Sequence, residues 1–257
     1  MTTTTAAALS LNKLCALARR AGDEIMEIYA QDFSVERKGD DSPVTEADQR
    51  AEAVILAGLA ELAPDIPAVA EEAMAAGARP DISGGRFWLV DPLDGTKEFI
   101  SRNGEFTVNI ALIEQGRPVL GVVFAPALGR LFAGANGAAF AEDGQGRRGI
   151  SVRAVPPEGL TVVGSRSHGD PQAMERFLAG RPVARQVAAG SSLKFCLLAA
   201  GEADLYPRFG PTMEWDTAAG HAVLAAAGGT VVELGGAPLL YGKDGFRNPH
   251  FVACGKA

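Results

Sequence analysis

The chain has 257 residues, a net charge of −7 and no basic run, which argues against a nucleic-acid polymer as the main partner because phosphate-backbone binding needs a positive patch. Its 47% hydrophobic content is enough for a substantial core, and the length suits one large or two smaller domains. No apolar run reaches membrane-spanning length, so no transmembrane segment is expected, and Met1 to Ala8 lacks the basic start of a signal peptide.

Leu11, Leu14, Ala18, Ala21, Ile25 and Ile28 recur at helical spacing and predict an amphipathic helix near residues 10–30. The polar stretch Glu36 to Ser42 reads as a mobile loop ended by Pro43. Thr45 opens a second helix that stops before Pro64. Ala68 to Ala70 reads as a short strand, Ala75 to Gly85 as a loop, and Phe87 to Val90 as a buried strand. Thr96 to Ile100 reads as a short helix. Thr107 to Glu114 and Arg117 to Phe124 form a predicted hairpin, and Leu131 to Ala133 and Ala138 to Phe140 flank the turn signal Asn136-Gly137. Helices followed by an antiparallel meander predict an α+β first half.

The second half alternates. Thr161 to Val163, Ala184 to Val187, Ala203 to Tyr206, Thr230 to Leu234 and Phe251 to Ala253 read as strands. Pro171 to Leu178, Leu193 to Ala200 and Asp216 to Ala227 read as helices, an alternation that suggests α/β packing. Cys15, Cys196 and Cys254 lie far apart in apolar stretches, with neither metal-ligand spacing nor a disulfide framework. Reduced thiols fit a reducing compartment, so a cytoplasmic location is expected.

The most informative segment is Trp88 to Thr96, where an apolar run ends in Asp91-Pro92-Leu93-Asp94-Gly95-Thr96. Pro92 lacks an N–H and biases Asp91 towards extended backbone. Gly95 lets the backbone approach a ligand, and a helix beginning at Thr96 offers N–H groups to phosphate. The same residues also suit an ordinary turn. Glu71, Asp91, Asp94 and Asp216 each follow a predicted strand or open a predicted helix. Brought together, four carboxylates would repel one another and would not all stay ionised. Oxygen-only ligands favour Mg²⁺ or Mn²⁺ over zinc, and two such ions can clamp a phosphoryl transfer. Each residue has a simpler reading as well. Thr45 and Asp48 suit a capping box, Glu71-Glu72 a solvated loop, and Asp216 a helix N-cap.

These motifs resemble the inositol monophosphatase superfamily, Mg²⁺-dependent and lithium-sensitive phosphatases. The family pattern is a Glu-Glu pair, then Asp-Pro-(Ile/Leu)-Asp-Gly-Thr, then Trp-Asp before an Ala/Gly-rich helix. It is met here by Glu71-Glu72, Asp91 to Thr96 and Trp215 to Gly220, in family order. Asp41 to Thr45, Asp91 to Asn109, Ser165 to His168, Gly190 to Cys196 and Tyr206 to Gly210 further resemble the CysQ-type 3'(2'),5'-bisphosphate nucleotidase branch.

The resemblance implies a layered αβαβα sandwich with metals between two halves. Residues 1–134 would be an α+β half carrying most metal ligands, and 135–257 an α/β half carrying nucleotide contacts and Asp216. It implies a first metal on Glu71, Asp91 and the Leu93 carbonyl, and a second on Asp91, Asp94 and Asp216. A third ion lies near Glu71 in some members. Asp48 and Thr96, with Glu71, would serve catalysis. Gly95 and Thr96 would grip the scissile phosphate, and His168, Ser191, Lys194 and Arg208 would contact the nucleotide. Mn²⁺ is the expected substitute for Mg²⁺ and Li⁺ the expected inhibitor.

The implied substrate is adenosine 3',5'-bisphosphate or its sulfated precursor. The implied state is monomer or homodimer, with peripheral association at the cytoplasmic face of the inner membrane open. Read from the residues alone, Lys194 on an apolar helix would snorkel to solvent. Arg208 would lie in a loop suited equally to a surface ion pair, and His168 in an exposed loop. Inositol monophosphatase or sugar bisphosphatase activity is the nearest alternative, and a non-catalytic metal-dependent binding protein a more distant one. Lys97 and Ser191-Ser192-Leu193-Lys194 favour the nucleotidase branch by resemblance.

Overall fold

The computed structural model describes residues 11–37, 43–165 and 170–256. Helix α1 (Leu11–Tyr29) buries Leu14, Ala18, Ala21, Ile25 and Ile28 along one stripe, as their spacing predicts, with Leu17 buried beside them and Leu11 only partly covered. Strands β1 (Glu36–Arg37) and β2 (Pro43–Val44) pair antiparallel. The ends of the expected loop are therefore pinned, and residues 38–42 lie outside the described residues. Helix α2 (Glu46–Leu62) starts on Thr45, which caps it with a complete capping box.

Strand β3 (Ala68–Ala70) leads directly into α3 (Glu71–Ala75), so Glu71 and Glu72 lie on a short helix rather than in a loop. Then come β4 (Arg86–Asp94), α4 (Thr96–Ile100), β5 (Thr107–Glu114), β6 (Arg117–Ala125), β7 (Arg130–Ala135), β8 (Ala138–Asp143) and β9 (Gly146–Ile150). Strands β3 to β9 form one seven-stranded sheet in sequence order. Only the β3–β4 pair is parallel. The last strand was not expected from the sequence. Gly146-Arg147-Arg148-Gly149-Ile150 has no apolar alternation and is mostly exposed, as suits a charged edge strand.

The remainder comprises β10 (Leu160–Ser165), α5 (Pro171–Leu178), β11 (Val183–Ala189), α6 (Leu193–Ala199), β12 (Leu205–Arg208), α7 (Ala218–Ala226), β13 (Thr230–Glu233) and β14 (Phe251–Cys254). These strands order as β11-β10-β12-β14-β13 in a second sheet, parallel on the β11 side and antiparallel around β14.

Alternation along the strands sets the layers. Trp88, Val90, Val108, Ile110 and Leu112 pack with the apolar stripes of α1 and α2. Their neighbours Phe87, Leu89, Ala111 and Ile113 face the other way, into a core shared with α6, α7 and the second sheet. Buried on both faces, these strands read as near-continuous apolar runs. Leu178 of α5 packs with Val162, Leu205 and Val252 on the far side of the second sheet. The order is therefore α1/α2, sheet, α6/α7, sheet, α5, the expected αβαβα sandwich.

The boundary between the two sheets lies beyond residue 134. The first sheet continues through β8 and β9 to Ile150, so the sheets part between Ile150 and Leu160. One apolar cluster joins Leu89 and Phe132 of the first sheet to Phe195, Val223 and Phe251 of the second half.

Helix α7 lies directly on β6, and Gly121 permits the approach. A Cβ there would stand 2.4 Å from the Ala219 carbonyl oxygen. Backbone cannot yield as a flexible side chain can, so Gly121→Ala should destabilise by about 1–3 kcal/mol. At roughly 2–4 °C per kcal/mol for a chain of this size, thermal unfolding will show a clear drop in melting temperature. An unchanged value would mean that α7 is free to move off the sheet.

Candidate active site

Strand β4 does not stop at Val90. Asp91 pairs with Asn109 and Asp94 with Thr107, so three steps on β4 span two on β5. The extra residue makes a bulge, at the point where Pro92 cannot donate to the ladder. Bulges re-aim side chains, and here Asp91 and Asp94 leave the regular alternation. Asp91 is buried, and its Oδ1 accepts the Leu93 N–H at 3.0 Å. Asp94 reaches the second half of the molecule. Its Oδ2 accepts from Ser191 Oγ at 2.7 Å and Ser192 Oγ at 3.0 Å, with Asn109 Nδ2 at 3.5 Å.

Gly95 follows as the N-cap of α4, with φ of 93°. That left-handed backbone favours glycine. Thr96 opens the helix, and its Oγ1 lies 3.4 Å from Asp48 Oδ1 and 3.5 Å from the Leu93 carbonyl. Hydrogen bonds in a site without its ligand are often this long. The other Asp48 oxygen, Oδ2, accepts the Thr45 N–H and Oγ1, each at 2.8 Å. The capping box and the approach to Thr96 therefore coexist on one buried carboxylate, each using its own oxygen.

Asp216 is not a helix N-cap; Thr217 holds that position. The Asp216 Oδ2 accepts the Met213 N–H at 2.8 Å, and its carbonyl accepts Ser192 Oγ at 3.1 Å. Burial first, then the negative charges of Asp94 and Glu71, push the Asp216 carboxyl well above the ordinary carboxylate value.

A cavity of about 290 Å³ joins these parts. Glu71, Asp94, Gly95, Thr96 and Asp216 line it together with Ser191, Lys194 and Arg208. Asp48 contacts this wall through Thr96, while Asp91 and Leu93 lie just before it in β4. His168 lies outside the described residues.

Two expectations about the cations fail. Lys194 does not snorkel to solvent. It is 4% exposed, and its Nζ donates to the Ser191 carbonyl at 2.6 Å and the Ala189 carbonyl at 3.2 Å. Burial pulls its pKa down to about 8, against the opposing charges of Asp94, Glu98 and Glu105. Arg208 is not on a surface loop but ends β12, 8% exposed, donating to the Gly210 and Pro211 carbonyls.

Ser192 is a contributor the sequence reading missed. It is 1% exposed and sits between the Asp94 carboxylate and the Asp216 carbonyl. The Ser-Ser doublet before α6 was its only signal. Ser191 has φ of 53°, unusual for a side-chain-bearing residue, and meets Thr107 as well as Asp94.

The donor set suits a hard cation. Carboxylates face a polar cavity, and a buried one is driven towards neutrality by its neighbours, a cost that a cation relieves. Among the described residues, no three His, Cys, Asp or Glu side chains form a closed metal cluster by themselves. Mg²⁺ does not require one, since it keeps several waters and shares its shell with substrate phosphate.

Such a fold and site define a metal-assisted phosphomonoesterase class. The inositol monophosphatase family model matches residues 7–251, and the chain belongs to that family, whose members are generally Mg²⁺-dependent. The chain is 54% identical over 245 residues to the 3'(2'),5'-bisphosphate nucleotidase CysQ of Salmonella typhimurium, covering 94% of this chain and 98% of that one. It is 51% identical over 244 residues to the CysQ of Escherichia coli, with the same coverage. Among solved structures, CysQ from Bacteroides thetaiotaomicron superposes with a TM-score of 0.80 at 36% identity, covering 96% and 97% of the two chains. An IMPase from Thermotoga maritima superposes with a TM-score of 0.77 at 27% identity, covering 95% and 91%.

The buried Lys194 ammonium gives a stability prediction. Its Nζ is the donor to the Ala189 and Ser191 carbonyls, and a buried acceptor left without its donor costs about 1–3 kcal/mol. Lys194→Met should therefore melt below the parent temperature. An unchanged melting temperature would mean that these two bonds do not hold the preceding loop in place.

Proposed function

We propose that the chain is a Mg²⁺-dependent 3'(2'),5'-bisphosphate nucleotidase that releases the 3'-phosphate of adenosine 3',5'-bisphosphate, giving AMP and phosphate. The observation that carries this reading is the pair of buried cations, Lys194 and Arg208, lining the same cavity as the carboxylates and Thr96. The scissile phosphate and its metals satisfy the carboxylate wall. A buried ammonium and guanidinium held mainly by carbonyls call for a further anion. A second phosphate on the substrate supplies it, and an inositol monophosphate does not.

In this reading Glu71, Asp91 and the Leu93 carbonyl hold one ion, and Asp91, Asp94 and Asp216 another. A third near Glu71 and replacement by Mn²⁺ are compatible with the same oxygen donors, and Li⁺ would compete. When bound, the ions neutralise phosphate charge and lower the pKa of water. Asp48 accepts the Thr96 hydroxyl proton, which leaves the Thr96 oxygen free to accept from the attacking water. The Gly95 and Thr96 N–H groups, at the start of α4, face the phosphate. Water adds to phosphorus, the ester bond breaks, and the 3'-oxygen leaves with a proton as the AMP hydroxyl.

Ser191 and Arg208, with His168, are assigned to the nucleotide. The sulfated precursor fits the same cation pair. The chemistry places the enzyme in sulfur assimilation and nucleotide recycling, and we assign it to the cytoplasm. Among the described residues no helix is long and apolar enough to cross a membrane.

Phosphate release with Mg²⁺ from adenosine 3',5'-bisphosphate, inositol 1-phosphate, fructose 1,6-bisphosphate and AMP, each with and without lithium, tests the assignment. A strong preference for the bisphosphate nucleotide is expected. Preference for the inositol or sugar phosphate would overturn the substrate while keeping the metal site.

The pH dependence follows from Lys194. With its pKa near 8, the ammonium is present below that pH and lost above it. The kcat/KM for the bisphosphate nucleotide should therefore fall as pH rises through about 8, since this ratio reports the free enzyme. A flat profile up to pH 9.5 would remove Lys194 from substrate binding.

A further inference from the structure

Helix α3 brings Glu71 to the cavity, yet it is only five residues long and has no side-chain cap of its own, because its N-cap is Ala70. The first N–H groups of any helix lack intrahelical partners. Here a residue of α2 meets two of them. Glu52 Oε2 accepts the Glu72 N–H and Oε1 the Ala73 N–H, both at 2.8 Å. Glu52 is 6% exposed. An ionised carboxylate makes these two bonds charge-assisted and lies at the favourable end of a helix dipole.

Glu52 lies four residues after Asp48, on the same face of α2. Asp48 turns to Thr96 and Glu52 to α3. One turn of α2 therefore spans two separate parts of the cavity wall. The Glu71 carboxylate shares that wall with Asp94 and Asp216, and ionised carboxylates that line one cavity repel one another. A five-residue helix has little rigidity of its own against this repulsion, so something outside it must hold its first turn.

We propose that Glu52 is a positioning residue for Glu71. It clamps the first turn of α3 through two backbone N–H groups, so that Glu71 is presented to the metal-binding side of the cavity before any ion arrives. This rests on the reading of Glu71 as a metal ligand.

The test compares Glu52→Ala, Glu52→Gln and Glu71→Gln with the parent. Mn²⁺ binding without substrate is read by electron paramagnetic resonance. The Mg²⁺ concentration for half-maximal activity is read beside the KM for adenosine 3',5'-bisphosphate at saturating Mg²⁺. Supporting groups behind metal ligands typically change affinity by about 10–100-fold. Glu52→Ala should thus weaken Mn²⁺ binding and raise the Mg²⁺ requirement by about tenfold or more, with a much smaller change in nucleotide KM. Glu52→Gln keeps one of the two acceptor oxygens, so it should recover part of the loss, and it carries the test if the alanine variant fails to fold.

Metal binding within twofold of the parent in both Glu52 variants would overturn the proposal. So would a loss of stability in both variants with an unchanged Mg²⁺ requirement. If Glu71→Gln also leaves Mn²⁺ binding untouched, the metal reading itself falls. If Glu71→Gln weakens binding while both Glu52 variants do not, only the positioning role falls.

Discussion

Three carboxylates, on Glu71, Asp94 and Asp216, share the wall of one small cavity, and their mutual repulsion is the constraint around which the molecule is arranged. No folded chain gathers like charges at this range without other interactions holding them. Here each is held by a separate device. A bulge in β4 and the hydroxyls of Ser191 and Ser192 fix Asp94. The Met213 N–H fixes Asp216. A short helix carries Glu71. Under the proposed function, divalent cations would relieve this repulsion.

The sandwich distributes the chemistry by layer. The first sheet and α2 contribute carboxylates, Thr96 and the open start of α4. The second half contributes Asp216, Lys194, Arg208 and the serine doublet. The two sides touch at the site where Asp94 accepts from Ser191 and Ser192 and Glu105 accepts from Gly190. Because α7 lies against β6 through Gly121, the Asp216 end of that helix is registered to the first sheet by backbone contact. Placing the cations under cover makes them strong, since a buried charge is poorly solvated by water and answers to a bound anion instead.

How much of this is legible along the chain depends on the reach of each cause. The stripe of α1, the capping box of Thr45 and the Asn136-Gly137 turn arise within a few residues and are found where the spacing places them. The first sheet is readable where its strands are buried on both faces, and unreadable at β9, whose edge position leaves no apolar pattern. Arg208 looks like a loop residue because Pro207 precedes it and Gly210 follows, yet β12 pairs with β14 through Pro207 and Arg208. Lys194 looks destined for solvent because nothing within one turn of it announces the cavity it faces. Ser192 carries no local signal of its position between two aspartates.

The sequence by itself determined the family and, through that resemblance, the fold class, because its motifs join neighbours along the chain, and periodicity placed the helices and buried strands. It left open which oxygen of Asp48 does what, whether Asp216 caps a helix, where the first sheet ends, and whether the cations are exposed. Only the tertiary structure decided these. Each depends on groups far apart in the chain meeting across layers, Asp48 with Thr96, Asp94 with Ser192, Glu52 with α3, and burial there is a property of the packed whole rather than of any segment.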